Sequence, residues 1–171
     1  MSQKRAGIEL DTSLGYLLKE ASTALRIAME EVLRPLGMTV THYSCLELLA
    51  QRPGMSNSEL ARGAFVTRQS MNVLLQALER DGYVTRPAEA AVGKVLPAQL
   101  TPRGRERLKE ASAAVRAVES RMLGDMGEAE QAEAFRLLQG MIRSLRDGRD
   151  GRDGRDGREG SRESEGNGRN G

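Results

Sequence analysis

Gln69, Asn72 and Gln76 recur at spacings of three and four, with Val73 among them and Arg68 and Ser70 beside the first. An amide side chain offers an acceptor and a donor side by side, the pair that matches the major-groove edge of adenine, and Val73 suits a thymine methyl. Arg68 and Ser70 carry the charge and the hydroxyl that hold phosphate or a nearby base. These groups read edges and charges; none of them is an activated nucleophile or a metal ligand. An ordinary solvated helix surface can carry the same residues, so their meaning depends on the elements that hold them.

Thr67 is a good N-cap for a helix running to about Asp81 and closed by Gly82. Placing Met71, Leu74, Leu75 and Leu78 at the centre of its buried face, at about 100° per residue, leaves Gln69, Asn72, Val73, Gln76 and Arg80 on the open side. Upstream, Ser56 or Ser58 caps a short helix carrying Leu60 and Ala61, with Glu59 placed for a capping box on Ser56. That helix ends around Gly63, and Ala64-Phe65-Val66 forms the turn, so the pair reads as a helix-turn-helix. Downstream, Tyr83–Arg86 and Val95–Leu100 have strand character, and Ala88–Lys94 joins them into a β-hairpin wing bearing Arg86 and Lys94. Pro97 removes a ladder donor from the return strand, which predicts a short or irregular wing.

Longer helices flank this centre. Apolar residues from Leu14 to Leu36 recur every three or four positions and predict one helix ending near Pro35–Gly37. Thr41 can cap the next helix, which Pro53-Gly54 stops; Thr101-Pro102 opens another running to about Met126, and a last runs from Glu128 to about Leu145. Leu17, Leu25, Val32, Phe135, Leu138, Ile142 and Leu145 extend beyond what one small core can cover and are expected to pack against a second copy. The fold class is therefore mainly α with a small β-hairpin (α+β), a winged helix-turn-helix domain over residues 12–146. Residues 1–11 are expected to be disordered. So is the tail 147–171, where Asp-Gly-Arg repeats without a break through Arg158 and no aliphatic or aromatic residue follows.

Composition narrows the function. The tail's six arginines and seven acids carry −1, so the chain's +2 becomes +3 on residues 1–146, a balance that tolerates nucleic acid without requiring it. One cysteine and one histidine are too few for a structural zinc site, so no metal and no cofactor is expected. No apolar run is long enough to span a membrane and Met1–Asp11 lacks a signal-peptide core, which points to a cytoplasmic protein. No nucleophile elbow, phosphate loop or dinucleotide fingerprint supports an enzyme. Cys45 lies on the apolar side of its helix and reads as a small hydrophobe, with redox sensing as the sharper alternative.

Ser-Asn-Ser-Glu-Leu-Ala (56–61), Thr-Arg-Gln-Ser-Met-Asn (67–72), Leu-Glu-Arg-Asp-Gly-Tyr-Val (78–84) and Leu-Thr-Pro-Arg-Gly (100–104), in this order and spacing, resemble the MarR family of winged-helix regulators. The resemblance covers Leu14 to about Leu145. It implies a homodimer joined by its N- and C-terminal helices, binding a pseudo-palindromic operator in double-stranded DNA with the helix from Thr67 in the major groove and the wing in the minor groove. Gln69, Asn72, Val73 and Gln76 are then the base readers, and Arg68, Ser70, Arg86, Lys94 and Arg103 the phosphate or wing contacts. Where the family usually carries an Asp-Arg pair at the wing tip, this chain has Val92-Gly93 followed by Lys94, which implies weaker or less AT-selective wing contact. The resemblance also implies a pocket for a small phenolic or aromatic effector, with Tyr16, His42 and Tyr43 as candidate lining residues and repression as the expected mode. A winged-helix module that binds protein instead of specific DNA is the alternative reading.

Overall fold

The computed structural model describes Gly7 and residues 9–86 and 97–153, with side chains through residue 147. The chain divides into two compact units at Met122–Leu123. A 3-10 turn over Leu10–Thr12 opens the first, and helix α1 (Leu14–Leu33) follows; Ser13 caps it, its Oγ accepting from the Tyr16 N–H, and a 3-10 turn over Arg34–Leu36 closes it. Helix α2 (Val40–Gln51) begins two residues earlier than a Thr41 cap would place it. Thr39 is the cap: its hydroxyl accepts from the His42 N–H, and its own N–H donates to His42 Nδ1 at 3.1 Å. Histidine thus does the work that glutamate usually does in a capping box.

Helices α3 (Asn57–Gly63) and α4 (Arg68–Arg80) follow, capped by Ser56 and Thr67. Strands β1 (Val84–Thr85) and β2 (Gln99–Leu100) pair antiparallel, Val84 opposite Leu100. Both are shorter than expected, and Pro97 lies outside the ladder, consistent with the donor it lacks. The proposed hairpin tip, including Val92, Gly93 and Lys94, lies outside the described residues. Helix α5 (Pro102–Leu123) ends before Met126 because Gly124 turns left-handed at φ 53°.

Leu33, Cys45, Leu46, Leu60, Met71 and Leu75 are fully buried and join Leu78, Val84, Leu100, Leu108 and Ala111 in one core. Burying each large aliphatic contributes roughly 1.5–3 kcal/mol, so the α1, α2 and α5 contributions to this core are what fix α3 and α4 in place. Val32, expected in an exposed stripe, packs against this core, as does Leu74.

The second unit contains α6 (Glu128–Asp153). Glu130 Oε2 accepts from the Gly127 N–H at 2.8 Å and closes its first turn. No proline follows Leu145, and the helix runs on to Asp153. Phe135, Leu138, Ile142 and Leu145 form an exposed apolar stripe along it.

Candidate nucleic-acid interface

The α3–turn–α4 unit is held at every joint by local hydrogen bonds. Glu59 Oε2 accepts from the Ser56 N–H at 2.7 Å and from its hydroxyl at 2.8 Å, which holds the Glu59 carboxyl below its usual value. At the end of α3 the Phe65 N–H donates to the Arg62 carbonyl and the Val66 N–H to the Ala61 carbonyl. That is a Schellman closure, and its left-handed position normally takes glycine. Here Phe65 holds φ 57° with the residue 90% exposed, at a cost of about 1 kcal/mol. Thr67 Oγ1 then accepts from the Ser70 N–H at 3.0 Å and starts α4.

Met71, Leu75 and Leu78 bury one face of α4. Gln69, Val73, Gln76 and Arg80 line the opposite face and are exposed, with Arg68 and Ser70 exposed in the first turn. The amide-rich surface expected from the sequence is therefore present, with one difference. Asn72 is half-buried, and its Oδ1 accepts from Asn57 Nδ2. It sits at the edge of the helix face, where the start of α3 covers it, so the carboxamide ties α3 to α4 instead of standing open.

The basic residues around the wing are individually restrained. Arg86 Nε donates to Glu79 Oε2 at 3.2 Å. The Arg103 guanidinium lies over the Tyr83 ring at 5.2 Å and that of Arg107 at 5.9 Å. Beneath them the chain comes unusually close to itself: a Cβ on Gly104 would stand 2.0 Å from the Tyr83 carbonyl oxygen. Thr101 knots the same joint, its hydroxyl donating to the Gly82 carbonyl at 2.7 Å and accepting from the Gly104 N–H at 3.0 Å. In the sequence Thr101-Pro102 marks only the start of a helix, and the close approach of Gly104 to Tyr83 is not evident from spacing.

The three candidate effector residues have different situations. Tyr16 is exposed near the start of α1. His42 is engaged in the α2 cap, and burial lowers its pKa, favouring the neutral ring that accepts at Nδ1. Tyr43 lines a pocket with Ser44, Glu47, Leu48, Gln51, Arg52 and Gly63, and burial raises its pKa. Sequence reasoning missed a different cavity, of about 260 Å³ between α1 and the far end of α5, with walls from Ala21, Ala24, Leu25, Ala28, Val118 and Met122 and a single charge, Arg121. Those two segments lie almost a hundred residues apart in the chain. Cys45 is wholly buried, its thiol 3.8 Å from Met71 Sδ and pushed up to about 12 by burial, so it is a poor thiolate nucleophile at neutral pH.

The HTH-type transcriptional repressor Rv2887 of Mycobacterium tuberculosis is 45% identical over 133 residues, which cover 78% of this chain and 96% of that protein. The family model of the MarR family matches residues 36–94. This chain belongs to the MarR family. A MarR-family chain is a winged-helix transcriptional regulator, and the family is one of regulators, not of enzymes. Solved structures agree. A crystal structure of Rv2887 with DNA is 41% identical, with a TM-score of 0.63 over 77% of this chain and 98% of that one. Another, with salicylic acid, is 45% identical, with a TM-score of 0.64 over 77% of this chain and 97% of that one. Among the described residues of this MarR-family protein, no helix is long and apolar enough to cross a membrane.

Proposed function

We propose that this chain is a cytoplasmic homodimeric repressor that reads a pseudo-palindromic operator with the exposed face of α4 and releases it when a small aromatic acid binds. The observation that carries this reading is the stripe of Gln69, Val73, Gln76 and Arg80, exposed on a helix whose opposite face is locked into the core. Exposed Leu14, Leu17 and Leu18 on α1, and the stripe from Phe135 to Leu145 on α6, supply apolar area suited to a second copy. Rv2887 has been crystallised with DNA, with salicylic acid and with p-aminosalicylic acid. The cavity between α1 and α5 suits the same chemistry: apolar walls for a ring and Arg121 for a carboxylate.

An effector releases DNA only if it binds the released form better than the bound one. Salicylic acid titrated into the protein–operator complex at fixed salt is expected to lower operator affinity, and Arg121→Ala to raise the concentration needed by about tenfold, the effect of losing one charge-assisted contact. Fluorescence anisotropy of a labelled operator measures both. Operator affinity indifferent to salicylic and p-aminosalicylic acids at millimolar concentration would contradict release by this class of ligand.

A further inference from the structure

We infer that Phe65 is itself part of the DNA-binding surface, its ring packing on deoxyribose and thymine methyl groups at the edge of the half-site read by α4. This rests on the reading that α4 lies in the major groove. Two other helix ends close with the same hydrogen-bond pair as α3. Met38 donates to the Leu33 carbonyl and Gly37 to that of Arg34; Tyr83 donates to the Leu78 carbonyl and Gly82 to that of Glu79. Both place glycine at the left-handed position, Gly37 at φ 67° and Gly82 at φ 75°. At the third, Phe65 is the one non-glycine residue with positive φ among the described residues.

Its flanks decide where the ring goes. Ala64 and Val66 pack against the core, so Phe65 between them is turned outward, and at 90% it is more exposed than Leu145 at 74% or Val73 at 62%. A bulky apolar group is thus held in water, in a backbone conformation that glycine would adopt without strain. Its place in the chain identifies what covers it. Phe65 stands two residues before the Thr67 cap and three before exposed Arg68, at the end of α4 that carries Gln69. A duplex seated on the first turn of α4 passes the preceding turn with its sugar–phosphate edge, so the ring is continuous with that interface. A neutral ring has nothing to offer a phosphate oxygen, but it matches the apolar faces of a deoxyribose and of a thymine methyl.

The test uses the full-length protein, a duplex that it selects from a random pool, and three variants. Phe65→Gly is expected to weaken binding by about fivefold, with the slope of affinity against salt unchanged because no ion pair is lost. The same variant is expected to melt a few degrees higher, since the backbone strain is relieved. Arg68→Ala, by contrast, should flatten the salt slope. Lower affinity together with higher stability separates a DNA contact from a structural role, which would move stability alone. If Phe65→Gly binds as tightly as the parent while Gln76→Ala does not, the inference about Phe65 is overturned and the reading of α4 stands; Phe65 then faces a protein partner or nothing. If neither variant loses affinity, α4 is not the reading element and the inference falls with it.

Discussion

Replacing Gln69 and Gln76 together by alanine is expected to lower operator affinity by at least about 30-fold while leaving affinity for random-sequence DNA within about twofold. Each amide that pairs with a base edge is worth roughly 1–3 kcal/mol of discrimination, and every 1.4 kcal/mol is tenfold. Nonspecific affinity comes from phosphates and counterion release, which neither glutamine supplies. Both side chains are exposed on α4, away from Met71, Leu75 and Leu78, and alanine is the better helix former, so the double variant folds at least as well as the parent. The ratio of specific to nonspecific dissociation constants is therefore the readout that isolates base reading. An unchanged ratio would remove both glutamines from the interface.

Gly104→Ala is expected to destabilise the domain by about 3 kcal/mol, lowering Tm by on the order of 10 °C. The added methyl would stand 2.0 Å from the Tyr83 carbonyl oxygen, and the obstructing atom is backbone, so no side-chain rotation relieves it. The joint between β1 and the start of α5 must open instead. Opening it loosens the Thr101 hydroxyl bonds to Gly82 and Gly104, the Val84–Leu100 pair and the two guanidinium groups over Tyr83. Because Gly82 also closes α4, DNA affinity should fall with stability in this variant, unlike the glutamine pair. A thermal melt within two degrees of the parent would show that the close approach carries little strain.

What the sequence made legible was whatever is decided within a few residues. Ser56 with Glu59, Thr67, Gly82 and Thr101-Pro102 each announce a helix boundary through a local hydrogen bond or a fixed dihedral, and the structure has those boundaries. The buried face of α4 followed from periodicity alone. What local sequence does not carry depends on a partner far along the chain or on an uncommon residue. Asn72 looked open on a helical wheel, but Asn57, fifteen residues earlier, reaches it across the turn. Thr39, not Thr41, caps α2, and its capping partner is a histidine, which no capping-box pattern signals. Ala64-Phe65-Val66 contains no glycine or asparagine to signal a left-handed residue, and the cavity beside Arg121 needs α1 and α5 brought together before it exists.

Selection of the purified protein's preferred sites from a pool of random duplexes, at near-physiological salt, decides whether the protein reads an operator as a two-fold dimer. Recovery of a pseudo-palindrome with half-sites about one helical turn apart is expected, as a two-fold dimer presenting two α4 helices requires. Recovery of no motif, with binding that fades as salt rises, would contradict it and leave only attraction to phosphate.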